Sequence, residues 1–475
     1  MKLNIDFAKL DRAFNPQCVV VVGDSGENNF RWLHAQRGFN GKLYSVQVNP
    51  RSIEGIKALG IENYTSLLDI PEPIDLVIIA VPRAVAPEIL DDCIRKEVVA
   101  AHFFTSGFSE TDTEEGIRLE RLLTDRAKQA NFYLIGPNCM GIFNPRISLK
   151  QSVEQYSHFY GPLGFISQSG THAITFSLEA HLQGMDINKS VSFGNGVVLE
   201  STDYLEYFGQ DPEVKVIGIY LEGVRDGKRF LTILKKVAAY KPVVIWKGGR
   251  TEEGERAIAS HTGSLAVSHR IWDVAVRQCG AVTVANMEEL IDTLKALYYL
   301  RSVRGDRVAV AGGSGGQSVA VADVFAESGL KLPQLTQESY DELAEFFSLI
   351  GGSYRNPIDT GNQNRIHMRR IMEILERDAN IDNLVLIVTK RFITMGYDTT
   401  EHVDSSIDLM AEIGKRASKP VMAIVSYSTD EEGMRRARDI IRKFQQKQIP
   451  TFPTMERGAH ALRNALEYYR LKNSV

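Results

Sequence analysis

The sequence predicts an α/β protein built on parallel sheets, and three observations carry the prediction. Short apolar, β-branched runs alternate with longer stretches of helical period. Several of these runs end directly in turns of glycine, serine and threonine. The same landmarks also recur in the same order in the middle and last thirds of the chain.

Taken in order, the strand runs are Cys18 to Val22, Leu43 to Val48, Leu76 to Val81, Phe165 to Ser167, Val214 to Leu221, Val243 to Trp246, Val308 to Ala311, Leu384 to Val388 and Val421 to Val425. Between them, Glu115 to Ala130 and Met287 to Tyr299 carry the apolar stripe of surface helices. In the middle third a strand runs into Ser167-Gln168-Ser169-Gly170, followed by Asp211 to Leu221, Lys241-Pro242 before another strand, and a helix near Leu290. In the last third a strand runs into Gly312-Gly313-Ser314-Gly315-Gly316, followed by Asp378 to Val388, Lys419-Pro420 before a strand, and a helix near Leu462. This is a repeated fold whose spacings differ, not a tandem repeat. It suggests three domains, 1–148, 149–300 and 301–475.

Composition excludes several classes. At 44% hydrophobic and 24% charged residues, the 475-residue chain has globular proportions. A formal net charge of -4 leaves no electrostatic footprint for nucleic acid or an anionic membrane. Cys18, Cys93, Cys139 and Cys279 are scattered without a C-x-x-C pair, so neither a disulfide framework nor a metal site is expected. A reducing cytoplasm fits this usage. Charged residues interrupt the first fifteen positions, so no signal peptide is read there, and no run reaches the ~18 apolar residues of a membrane span.

The turns offer the chemistry. Gly23-Asp24-Ser25-Gly26 follows the first strand, and the second ends at Val48-Asn49-Pro50. Backbone N–H groups at such a strand-to-helix start can hold phosphate oxygens, although the turn also serves as a plain connection and lacks G-x-G-x-x-G. Asp24 and Glu27 would repel a pyrophosphate. Thr105-Ser106-Gly107-Phe108-Ser109-Glu110 and Gly136-Pro137-Asn138-Cys139-Met140-Gly141 are further turns where an open parallel sheet binds ligands, or where glycines simply end strands. Ser167-Gln168-Ser169-Gly170-Thr171 offers hydroxyls, free N–H groups and the positive end of a helix dipole, and as a bare N-cap needs no function.

Among ten histidines, His261 has the most unusual setting. Lys247-Gly248-Gly249-Arg250 leaves a strand, and a polar stretch, expected as a mobile loop, leads to Ser260-His261-Thr262-Gly263-Ser264. A loop imidazole can accept a phosphoryl group on nitrogen and pass it on. The matching region of the last third, Ser426 to Gly433, has no histidine. Glu222, at the end of a strand in Tyr220-Leu221-Glu222-Gly223, could orient that imidazole. His172 reads as first-turn surface or core, and His269 as helical surface.

Together these residues resemble the α subunit of ADP-forming acetyl-CoA synthetases and, more distantly, that of succinyl-CoA synthetase. The likeness covers essentially the whole chain. Its most specific stretch runs from Trp246-Lys247-Gly248-Gly249-Arg250 through Ser260 to Ala266 and on to Arg277-Gln278-Cys279-Gly280, supported by Gly194-Asn195 and Asn356-Pro357-Ile358-Asp359 besides the turns above. The resemblance implies a Rossmann-type CoA-binding domain followed by two flavodoxin-like domains. It implies that acyl-CoA, phosphate and ADP interconvert with carboxylic acid, CoA and ATP through an acyl phosphate and a phosphohistidine. On that basis His261 carries the phosphoryl group and Glu222 orients it. Ser169, Gly170 and Thr171 hold phosphate, while Asn138 and Cys139 lie near the thiol and acyl group. Gly23, Ser25, Asn49, Pro50, Pro82, Ser106 and Gly107 line the CoA site. The nucleotide, with Mg, is expected on a separate ATP-grasp β subunit, in a homodimer or α2β2 assembly. Two other readings use the same residues: a non-catalytic CoA-binding or regulatory relative, and an acyl- or carbamoyl-phosphate transferase.

Overall fold

Five consecutive apolar residues without polar alternation suit a strand covered on both faces, and Cys18–Val22 (β1) is buried at every position. The computed structural model describes residues 5–262, 269–300, 302–313, 315–350, 352–360, 365–388, 407–409, 411–414, 416, 419–426 and 430–473. Each strand run read from the sequence forms a strand, with ends shifted by up to about two residues. By contact the chain divides into two compact units, Met1–Met287 and Glu288–Val475.

The first unit holds two sheets. After helix α1 (Phe7–Phe14) and β1 come α2 (Arg31–Ala35), β2 (Lys42–Val46), α3 (Pro50–Ala58), β3 (Glu62–Tyr64), β4 (Leu76–Ile79), α4 (Ala86–Arg95), β5 (Ala100–Phe103), α5 (Glu114–Gln129) and β6 (Tyr133–Ile135). These strands pair in the order β3-β2-β1-β4-β5-β6, all parallel, so the order reverses at β1. A crevice beyond the strand ends at such a reversal is where open sheets bind ligands.

The next strand, β7 (Gly141–Phe143), leaves this sheet and joins the second as its antiparallel edge beside β9. The second sheet continues with β8 (Leu163–Ser167), α6 (Gly170–Leu182), β9 (Ile187–Ser192), α7 (Ser201–Gln210), β10 (Val216–Leu221), α8 (Gly227–Ala238), β11 (Val243–Lys247), α9 (Glu252–Thr262), α10 (His269–Gln278) and β12 (Val282–Val284). Its order is β12-β11-β10-β8-β9-β7. One apolar cluster runs from Leu10, Phe14 and Trp32 through Ile142 and Leu199 to Phe208, Ile217 and Ile245, so the two sheets share a core. Phe14 stacks on Tyr207 at 4.8 Å, tying the first helix to α7.

The second unit carries α11 (Met287–Tyr299), β13 (Val308–Gly312), α12 (Gly315–Glu327), α13 (Gln337–Ala344), α14 (Arg365–Arg377), β14 (Asn383–Val388), β15 (Val421–Val425), α15 (Glu431–Gln446), β16 (Thr451–Phe452) and α16 (Met455–Asn473). Its parallel sheet is β13-β14-β15-β16, with its own cluster around Ile358, Leu375 and Phe444. Among the described residues no helix is long and apolar enough to cross a membrane.

One expectation is corrected here. The stretch before His261, expected as a loop, is helical through Thr262. Three glutamates occupy its first turn, Thr251 Oγ1 accepts the Gly254 N–H, and Arg256, Ala257 and Ala259 favour helix, so local propensity closes the turn that its polarity suggested was open. The His261 side chain and residues 263–268, with the Ser264 part of the motif, lie outside the described residues.

Candidate active site at the strand ends of the first unit

The first turn is fixed by crowding. Gly23 has φ +86°, and a Cβ there would lie 2.5 Å from Val81 Cγ1, so only glycine lets β1 end against β4. Asp24 does not face the crevice. It is 1% exposed, and its carboxylate accepts the N–H groups of Trp32 and Leu33, both at 2.9 Å, at the start of α2. Burial raises its pKa, against the pull of those hydrogen bonds. The carboxylate is therefore engaged by a short helix, while Glu27 lies exposed in the following 3₁₀ turn. Ser25 opens that turn with extended backbone, and Asn49 caps α3 by accepting the Arg51 N–H, with Pro50 in the first helical position.

Gln47 links the first two turns, and sequence reasoning passed it over as the polar end of a strand. Its amide donates to Asp24 O at 2.9 Å and its carbonyl accepts from Val48 and Asn49 N–H. Arg83, beside the exposed Pro82, likewise donates to Gly107 O at 2.6 Å and ties the turn after β4 to the turn after β5. Ser106 is exposed, and Gly107, with φ +101°, donates its N–H to Glu110 Oε1 at 2.6 Å. Glu110 and Glu120 both accept from Asn195 Nδ2, at 2.7 and 2.8 Å, joining this turn to the one after β9.

That second turn meets the third. Gly194, φ +51°, packs so tightly that a Cβ would sit 2.2 Å from Asn138 O, and Asn195 N–H donates to Pro137 O at 3.0 Å. Asn138 itself has φ 58° and donates its N–H to Thr105 O. Cys139 is buried, with its thiol 3.6 Å from both Phe103 O and Ile135 O. Burial pushes the thiol up to about 12, so at neutral pH it is no thiolate nucleophile.

The Asn138–Met140 turn faces the start of α6 across a cavity of about 310 Å³. Asn138, Cys139, Ser169, Gly170 and Thr171 all line it, together with Arg31, Phe104, Met140, Gln168 and Asn195. Ser169 caps α6 by accepting the His172 N–H at 3.4 Å, and Ser167 Oγ donates to Ser169 O. Among the described residues no acceptor meets the N–H of Gly170 or Thr171, which leaves two donors at the positive end of a thirteen-residue helix. Gly23, Ser25, Asn49, Pro50, Pro82, Ser106 and Gly107 lie apart from this lining, along the ends of β1, β2, β4 and β5.

Gln168 connects the cavity to Glu222. Its side-chain oxygen accepts the N–H groups of Glu222 and Gly223 at 2.8 and 3.1 Å, which fixes the end of β10. Glu222 is 9% exposed, Tyr220 Oη donates to its carboxylate at 3.3 Å, and the ammonium of Lys247 donates to its backbone oxygen at 2.7 Å. His172 is not a bare surface residue: its ring lies 4.5 Å from Tyr220 and 4.7 Å from Trp246. Burial lowers its pKa, opposed by the Glu222 charge.

Similarity to known proteins agrees with this geometry. A family model described as a CoA binding domain matches residues 18–145, and one described as a succinyl-CoA ligase like flavodoxin domain matches residues 160–297. The α subunit of the ADP-forming acetate–CoA ligase II of Pyrococcus furiosus is 34% identical over 460 residues, covering 95% of this chain and 96% of that subunit. The ADP-forming acetate–CoA ligase I of Archaeoglobus fulgidus is 36% identical over 80% of this chain, which spans only 55% of that longer protein. The solved structure of acetyl-coenzyme A synthetase 1 of Ca. Korarchaeum cryptofilum with phosphate and ADP superposes with a TM-score of 0.83 at 29% identity, covering 98% of this chain and 97% of that one. The chain belongs to the family of α subunits of ADP-forming acetate–CoA ligases.

Proposed function

We propose that this chain is the CoA-binding, phosphohistidine-carrying half of an ADP-forming acyl-CoA synthetase. The observation that carries the reading is the cavity shared by the Asn138–Met140 turn and the start of α6, which puts the two turns read as the acyl and phosphate sides at one space.

The chemistry divides into three balanced steps. Phosphate attacks the thioester carbonyl, forming acyl phosphate and releasing CoA. His261 then takes the phosphoryl group on a ring nitrogen, the bond to the acyl oxygen breaks, and the free acid leaves. Finally the phosphoryl group passes from His261 to ADP, giving ATP. The N–H groups of Gly170 and Thr171 and the dipole of α6 hold the phosphate in the first two steps. Glu222 is held by Tyr220 and by its own anchored backbone, and in this reading it is the carboxylate that orients His261 during the transfer. CoA lies along the turns at Gly23, Ser25, Asn49, Pro50, Pro82, Ser106 and Gly107, with its thiol end toward Asn138 and Cys139. The inward turn of Asp24 supports CoA binding over a relative that has lost it.

ADP and Mg belong, in this reading, to an ATP-grasp partner subunit, in a homodimer of α chains or an α2β2 assembly in the cytoplasm. The domain division at 148 and 300 is part of the same proposal. The test is ATP formation when the chain and an ATP-grasp partner receive acyl-CoA, phosphate and ADP. Dependence on all three substrates and on both proteins is expected. ATP formed without this chain, or none from any acyl-CoA with a folded partner, overturns the proposal.

A further inference from the structure

Among the described residues that line the cavity between the Asn138–Met140 turn and α6, Arg31 is the one charged residue. Its guanidinium carbon lies 5.5 Å from the centre of the Phe104 ring and 6.0 Å from that of Trp32, and Nη2 is 4.0 Å from Met140 Sδ. Among the described residues no carboxylate pairs with it. A guanidinium laid on aromatic faces is held in orientation while its in-plane N–H donors stay open at the edge, the geometry that meets an oxyanion with two hydrogen bonds.

Its place relative to α6 is set by one side chain. Met140 touches Arg31 through its sulfur, and it also packs on Gly170 so closely that a Cβ there would be 2.7 Å from Met140 Cγ. The cation and the first residue of α6 thus flank the same methionine, and both line the same cavity. Helix N–H groups alone offer neutral donors. A full positive charge beside them raises the affinity for a ligand of higher negative charge, and the lining side chains of Asn138, Gln168 and Thr171 carry donors and no charge.

We propose that Arg31 is a binding residue of this cavity, taking an oxyanion of the reacting ligand beside the start of α6. The inference rests on the reading of the cavity as the acyl and phosphoryl site. The oxyanion comes from one of two sources, the phosphoryl oxygens of phosphate and acyl phosphate or a second carboxylate on the acid.

Calorimetric titration of the full chain with inorganic phosphate, glutarate and butyrate separates them, using wild type, Arg31→Met and Arg31→Lys. Arg31 is exposed, and variants with unchanged circular dichroism and melting temperature are compared. Arg31→Met should weaken phosphate or glutarate at least about tenfold and leave butyrate alone, while Arg31→Lys restores only part, because an ammonium cannot form the paired contact. Loss on phosphate identifies the phosphoryl source, and loss on glutarate alone identifies the distal carboxylate. Binding of both anions within about twofold of wild type in Arg31→Met overturns the assignment. Ser169→Asp, which sets a negative charge at the helix start, keeps the two readings apart. Phosphate binding lost in Ser169→Asp, with phosphate and glutarate both still bound by Arg31→Met, removes only Arg31, whereas no binding of either anion by wild type removes the cavity reading with it.

Discussion

Single residues at this site are set by what surrounds them more than by their type. Cys139 illustrates it: a cysteine in a glycine-rich turn invites a nucleophilic role, yet burial keeps it a thiol. Iodoacetamide at neutral pH should leave Cys139 unmodified in the native chain and label it after denaturation, as read by peptide mass spectrometry; rapid native labelling would contradict its burial. His102 gives a second prediction. It is 1% exposed, neither ring nitrogen has a hydrogen-bond partner among the described residues, and burial lowers its pKa to about 3. Between the unfolded value near 6.5 and about 3, the unfolded chain binds the proton and the folded chain does not. Stability is therefore lost as pH falls through that window, by up to about 1.4 kcal/mol per pH unit. Chemical denaturation of wild type and His102→Gln should show this slope difference appear below pH ~6.5 and vanish above it. Parallel pH profiles for the two proteins would refute it.

At the scale of elements, the site is held by turns that interlock. Gly194 is the tightest point, since its left-handed backbone and its contact with Asn138 O both exclude a Cβ. Gly194→Ala should cost at least about 2 kcal/mol of unfolding free energy and reduce phosphate affinity by shifting the Asn138–Met140 turn; an unchanged denaturation midpoint would show that the two turns do not depend on each other. The strands that form these turns were legible in the sequence because runs such as Cys18–Val22 are apolar throughout and end in glycine. Strand β7 was not, because Gly141–Phe143 is three residues long and takes its strand form by pairing with the distant β9. The helix before His261 was misread as a loop because polarity was weighed above the helix preference of its glutamates and alanines. The roles of Gln47, Arg83 and Arg31 could not be read at all, since each depends on what a long side chain reaches across the fold.

For the whole molecule, the two stretches of the repeat seen in the sequence fall on two sheets, that of β7 to β12 and that of β13 to β16, with different surroundings. In the first unit the helix after β8 begins at an open cavity. In the second, the corresponding helix α12 begins beside a carboxylate, with Asp359 Oδ2 3.4 Å from where a Gly315 Cβ would stand. A negative group at that position disfavours an added anion, which supports placing the proposed phosphate chemistry in the first copy, where the only histidine of the two matched regions also lies. The central claim, that His261 carries a phosphoryl group between the cavity and ADP, is met most directly by incubating the chain and the proposed ATP-grasp partner with ATP labelled at the terminal phosphate. The account predicts label on this chain that is acid-labile and base-stable, absent from His261→Ala and diminished in Glu222→Gln. Label that persists undiminished in His261→Ala, or wild type that takes up none, would contradict it.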